Sequence, residues 1–246
     1  MEKKYALLFA LVITSLIVAN IYLFSIQFSP SKEKVVISRV IDGDTLELSD
    51  GRRIRLLNIN APEKNFPNSK LSTDYLRQFE NSSIEIEIVG TDKYERTLAR
   101  LYVPYYLNLE LIKQGFASKF LVEDSETAEF ANAEAQAIES SKGIWKKSPY
   151  FGCFESKIDE INEKVIIIND CNKINITSWM LKDESRQYIK FGNLEIGTIT
   201  LHTHEGKNNA TDIFWNSKTN IWNNDRDTLY LFDKDGNIAH FNIYGY

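Results

Sequence analysis

The chain has 246 residues, 43% hydrophobic and 26% charged, with a net charge of -5 and two cysteines. That balance fits a globular protein large enough for one big domain or two small ones. It excludes a protein that holds nucleic acid chiefly by counterion release, which would be basic: residues 31–147 carry 17 basic and 19 acidic side chains, and residues 148–246 carry 10 and 14.

Residues 1–29 differ from the rest. Lys3 and Lys4 precede an apolar run that reaches residue 28, broken only by Thr14, Ser15, Asn20, Ser25 and Gln27. A bilayer-spanning helix needs about 20 mostly apolar residues, and lysines before it favour a cytoplasmic N-terminus. The reading is a single transmembrane anchor, with a cleaved signal peptide as the alternative. The run is longer than a usual signal core, and no small-x-small cleavage site follows it. The first reading puts the chain in the cell membrane with extracytoplasmic domains, the second makes it secreted. N-x-[ST] sites at Asn81, Asn175 and Asn209 are compatible with either. Cys153 and Cys171 suit an oxidising compartment, where they can close a disulfide loop; two buried thiols are the alternative.

Residues 29–34 read as a polar linker. Strands are expected at 35–40, 45–48, 54–59, 84–89 and 98–103, with turns at Asp42-Gly43-Asp44 and Ser49-Asp50-Gly51. The stretch IEIEIV alternates, which leaves Glu85 and Glu87 on the polar face. Helices are expected at 71–79, 107–114 and 127–141, the last stopping at Gly143, with Ser125 or Thr127 as cap. Short strands mixed with helices predict an α+β domain over 30–147, a small and partly open barrel. Pro149 and Gly152 mark a boundary, and 148–159 is read as a linker. Over 160–246 the pattern is all-β. Runs at 165–168, 178–181, 188–191, 198–202, 213–215, 228–232 and 238–243 predict an antiparallel sandwich. Asp233-Lys234-Asp235-Gly236-Asn237 marks a hairpin turn. His202 and His204 lie two apart and read as a plain strand pair, since most zinc sites need three or four ligands.

The chemistry-bearing residues concentrate in RVIDGDTLELSDGRRIRLLNINAPE and DKYERTLARLYV. Cleaving a phosphodiester at phosphorus requires a deprotonated water, positive charge on the nonbridging oxygens and a stabilised leaving group. A carboxylate serves the first need. Arginine suits the second, because its planar fork matches phosphate oxygens in pairs. A hard cation held by carboxylates and carbonyls can polarise the phosphate. Asp44, Glu63, Arg55 and Arg96 meet this set of requirements.

Residues 35–145 resemble the thermonuclease, or staphylococcal nuclease-like, family through VIDGDTLEL, RIRLLNINAPE, DKYERTLARLYV, LELIKQGFA and EAQAIESSKGIW, in that order. The resemblance implies a five-stranded oligonucleotide-binding barrel with three helices that hydrolyses DNA and RNA with calcium, leaving 3'-phosphates. It makes Arg55 and Arg96 the catalytic arginines and Glu63 the general base. Asp44 and the carbonyl of Ala61 become calcium ligands, with Asp42 and Thr45 close to the metal. Lys93 and Tyr94 fall on the substrate side. The second calcium-binding carboxylate falls at Asn60, which keeps an oxygen but loses the charge and so weakens calcium binding. Phe120, Leu121 and Glu123 stand where the family offers tyrosines.

Residues 160–246 resemble a lamin-tail domain through ITSWMLKD, YIKF, Trp215, Trp222 and WNNDRDTLYLFDKDGNIAHFNIY. That resemblance implies an immunoglobulin-like sandwich that binds or anchors and does not catalyse, with a surface partner of its own. The sequence therefore reads as a membrane-anchored, calcium-dependent nuclease acting on DNA or RNA with little sequence preference. The competing reading is a weak or inactive nucleic-acid-binding or adhesion protein whose sandwich does the binding.

Overall fold

The structure, a computed structural model, describes residues 5, 9, 11–20, 31–64, 66, 68–185 and 187–246. Most of the expected anchor, residues 1–29, lies outside the described residues. Within it, residues 11–20 are helical and exposed. Among the described residues no helix is long and apolar enough to cross a membrane.

The first half is a barrel. Its strands are β1 (Lys32–Val40), β2 (Thr45–Leu48), β3 (Arg53–Leu56), β5 (Ser83–Thr91) and β6 (Thr97–Tyr102), and a two-residue strand β4 (Ile59–Asn60) leaves it after β3. The barrel is closed in the order β1-β2-β3-β6-β5, where a partly open one was expected. Closure comes from the N-terminal half of β1, where Lys32–Val36 pair with β5. β3 and β6 run parallel. Alternation sets the core: Ile84 and Ile86 of β5 point inward with Val35, Ile37, Leu46 and Ile54. Glu87, expected on the wet face, is buried and paired with Arg100 at 2.7 Å.

Three helices cover the barrel: α1 (Lys70–Arg77), α2 (Leu107–Lys113) and α3 (Thr127–Glu139). They match the expected helices to within two residues at each end, and no side chain caps α3. Asn108 on α2 is fully buried and ties the barrel wall together. Its Oδ1 accepts from Leu101 N–H, and its Nδ2 donates to the carbonyls of Leu57 and Ala99. Gly115 and Gly143 have positive φ and approach so closely that a Cβ on either would strike backbone of the opposite segment. That contact seats the end of α3 against the end of α2.

The expected strand at 54–59 is broken. Asn58 takes a left-handed conformation, φ 67°, which asparagine tolerates better than other side-chain-bearing residues. Its amide is held by Glu123 N–H and Glu126. The chain turns there and sends β4 to pair with β7 (Ser118–Lys119), matching Ile59 with Lys119 and Asn60 with Ser118.

The second half contains β8 (Phe154–Asp159), β9 (Lys164–Asn169), β10 (Ile174–Asn175), β11 (Met180–Lys182), β12 (Tyr188–Lys190), β13 (Glu195–Ile196), β14 (Thr198–His202), β15 (Asp212–Phe214), β16 (Asp227–Phe232) and β17 (Ile238–Tyr244). Two four-stranded sheets form, β12-β11-β16-β17 and β15-β14-β9-β8, with a small β10-β13 pair beside them. They share one core of Phe154, Val165, Ile167, Trp179, Leu181, Leu201, Trp222, Leu229 and Leu231. The stretch expected as a linker holds β8, an edge strand along β9. β15 runs parallel to β14, so the sheets are not wholly antiparallel. Of the two histidines expected on one strand, only His202 lies in β14, and it pairs with Asp212 at 2.9 Å. Cys153 and Cys171 form a disulfide across the open end of the β8–β9 hairpin.

The halves are packed together. Trp145 is buried and stacks on Tyr230 of β16 at 5.2 Å between centroids. Ala137, Ile138, Ile144, Phe232 and Ile238 complete this shared core. Backbone bonds Ile238 N–H to Lys146 O and Ser148 N–H to Ile238 O join the connecting segment to β17.

Candidate active site

The β1–β2 turn, β3 and the segment after β4 converge on Asp44. Gly43 makes this approach feasible: a Cβ there would lie 1.9 Å from Ser72 Oγ on α1 and 2.6 Å from the Ala61 Cβ. Asp42 Oδ1 accepts the Asp44 N–H at 3.1 Å and holds the turn. Asp44 is 2% exposed and fully engaged. Its Oδ1 accepts from Thr45 Oγ1 at 3.0 Å. Its Oδ2 accepts the Ala61 N–H at 3.0 Å and pairs with Arg55 Nη2 at 3.2 Å.

Arg55 lies opposite Thr45 in the β2–β3 ladder, which explains why both reach Asp44. Its Nη1 donates to the Leu56 carbonyl at 2.5 Å. A buried guanidinium demands such partners. Arg96 reaches the same group from β6's entry turn, its Nη1 donating to Thr45 Oγ1 at 3.4 Å. Asp92 anchors Arg96 at 2.7 Å and accepts the Tyr94 and Arg96 N–H groups. Desolvation pushes the Asp92 carboxyl up, but these bonds outweigh it and hold the group below the ordinary carboxylate range. Desolvation and the nearby Asp44 charge push Asp42 up.

The structure thus joins Asp42, Asp44, Thr45, Arg55, Ala61 and Arg96 in one chain of contacts. Glu63 follows on the same segment and is exposed. Lys93 and Tyr94 stand at the rim, with the Tyr94 ring 5.1 Å from Lys93 Nζ and 5.5 Å from the Arg96 guanidinium. Asn60 is buried. Its Nδ2 donates to the carbonyls of Glu184 and Ser185, each at 3.2 Å. Among the described residues its Oδ1 has no hydrogen-bond partner.

Asp92 is a site residue that sequence reading passed over: its pairing with Arg96 depends on the β5–β6 turn that brings the two together, and a separation of four residues carries no such signal outside a helix. Contacts from the second half carried no local signal. A cavity of about 70 Å3 lies between the halves, lined by Asn60, Glu63, Ser118, Lys182, Ser185 and Tyr188 among others. Lys119 is fully buried beneath it, paired with Glu134 at 3.2 Å and with Glu184.

Among the described residues no group of three or more His, Cys, Asp and Glu side chains is arranged to hold a metal ion. A site for a hard cation does not need one, since carbonyl and amide oxygens also ligate. Among the described residues the buried Asn60 Oδ1 has no hydrogen-bond partner, and the Asp44 carboxylate keeps lone-pair capacity beside its present donors, so both oxygens are of the type a hard cation takes.

Residues 53–147 match the family described as Staphylococcal nuclease homologue. Two proteins named uncharacterized endonuclease, from Escherichia coli O157:H7 and from Escherichia coli, are each 30% identical over 114 residues, 44% of this chain and 74% of theirs. The family match takes in both candidate arginines, Asn60, Ala61 and Glu63, and Asp44 is tied to it by direct bonds to Arg55 and Ala61. With the closed five-stranded barrel beneath these residues, the chain belongs to the staphylococcal nuclease homologue family.

Proposed function

We propose that this chain is a calcium-dependent phosphodiester hydrolase that cuts DNA or RNA with little sequence preference and leaves 3'-phosphates. The observation that carries this reading is the single contact chain running from Arg55 through Asp44 and Thr45 to Arg96. It joins two guanidinium groups to one carboxylate, and Glu63 follows two residues after Ala61, whose N–H that carboxylate accepts. Asp44, the Asn60 Oδ1 and the Ala61 carbonyl would hold the cation, and a bound calcium supplies positive charge to a phosphate oxygen. Glu63 takes the proton from the attacking water. Arg96 and Arg55 hold the nonbridging oxygens as charge builds on them. Lys93 and Tyr94 at the rim meet the strand, and Tyr94, 67% exposed, offers a face for a base.

Export belongs to the same reading. The apolar run before residue 29 supports a membrane anchor with extracytoplasmic domains, and the Cys153–Cys171 disulfide supports an oxidising compartment. The second half serves as a lamin-tail-like binding or anchoring module. The second reading, a weakly active binding protein, is favoured by one observation: Asn60 carries no charge toward the cation.

Digestion of single-stranded DNA, with calcium and then with chelator, tests the proposal. Cleavage is expected with calcium only, and Glu63→Gln is expected to lower kcat by roughly 10^2–10^4-fold, the usual contribution of a general base. Cleavage indifferent to chelator and to Glu63→Gln would overturn the nuclease reading of this site.

A further inference from the structure

Asn60 faces two ways. The Glu184 and Ser185 carbonyl oxygens, each 3.2 Å from its amide, can only accept, so the nitrogen must be turned to them. Among the described residues the amide oxygen is then buried without a hydrogen-bond partner. We propose that Asn60 is a latch through which the second domain positions the catalytic segment 60–63. One end of its amide grips the 183–185 loop, and the other end is left for the cation site.

A second contact at the adjoining position makes the grip two-pronged. Ile59 pairs with Lys119 in the β4–β7 ladder. The Lys119 ammonium is completely buried and bound by the Glu184 carboxylate, Thr228 Oγ1 and Glu134. The Tyr246 ring lies 3.9 Å from it, and the Tyr246 hydroxyl donates to Glu184 Oε2. Glu184 therefore holds β4 by its backbone carbonyl at Asn60 and β7 by its side chain at Lys119. At the far end of the segment, Phe66 meets Tyr188 of β12 edge to face at 5.1 Å. Between these points lies Ala61, whose N–H fixes Asp44.

This arrangement supplies a reason for an amide at position 60. An aspartate there would set an anion against two carbonyl oxygens and could donate to neither. The missing negative charge is thus the condition for docking the second domain, and Asn60 is a positioning residue. Only the link to the cation and to turnover rests on the nuclease reading.

Hydrogen exchange on the full-length chain without metal tests the latch. In Asn60→Asp, exchange in segments 57–63, 116–120 and 180–188 is expected to accelerate roughly tenfold or more, with β5 and β6 unchanged, because a buried donor pair is replaced by repulsion. Asn60→Ala removes the donors without adding charge, and a rise of roughly threefold in the same segments is expected. It carries the test if the aspartate variant fails to fold. In the calcium-loaded enzyme, Glu184→Gln, which leaves every proposed cation ligand in place and weakens the grip on Lys119, should lower kcat while KM for single-stranded DNA stays within about twofold, the pattern of a lost positioning contact. Wild-type exchange in both Asn60 variants, or tighter docking in Asn60→Asp, would overturn the latch. Cleavage is read separately, so a chain that never cuts DNA ends the nuclease reading and leaves the exchange result standing.

Discussion

Asp227 has no exposed surface, and four donors converge on its carboxylate: Thr228 N–H, Glu184 N–H, and the backbone and side-chain nitrogens of Asn223. Burial, reinforced by the charges of Asp183 and Glu184, still pushes it up to about 7. Burial likewise pushes Asp183 up to about 6. Carboxyls raised above their unfolded values bind more protons in the folded chain, so they favour folding at low pH and lose that contribution as pH rises through 6 to 7. His240, pushed down to about 4 by burial, acts in the opposite sense below its ordinary 6.5. Two acids outweigh one histidine, so the melting temperature should fall between pH 5 and pH 8, and Asp227→Asn should flatten that slope. A melting temperature that rises over this range would refute the assignment. None of this was legible in the sequence, because burial of Asp183 and Asp227 is decided by sheets that meet only in the fold. The placement of Arg55 on a strand and of Arg96 just before one was legible, because local patterns of strand and turn set it.

Among the elements, those with a strong period were readable. IEIEIV gave β5, and the alanine-rich stretch gave α3. What escaped was the break at Asn58, where one left-handed residue turns an apparent single strand into β3 and β4. β8 escaped as well, because it lies between a Pro/Gly segment and a turn and only Phe154 and Ile158 of its inward positions are apolar. The β8–β9 hairpin also carries the disulfide, which closes a separation of 18 residues. A loop of that size restricts the unfolded chain by about 3 kcal/mol. The double variant Cys153→Ser/Cys171→Ser should therefore lose about that much in denaturant unfolding of the second domain. An unchanged midpoint would show that the crosslink constrains nothing.

Over the whole molecule, the two halves share a core that no local pattern in the sequence announces. Trp145 looked like the end of the first domain, yet it stacks on Tyr230 and Phe232 of the second. Trp145→Ala should destabilise the chain by about 3–5 kcal/mol and split one thermal transition into two, read by calorimetry. A single, equally sharp transition would mean that the shared core does not couple the halves. The Asn60 contact with Glu184 spans 124 residues of chain. Contacts that far apart form late, after the intervening chain has been made and ordered. On the latch proposed above, the barrel would emerge during synthesis with segment 60–63 unlatched, and the second half would act as a maturation timer for that segment.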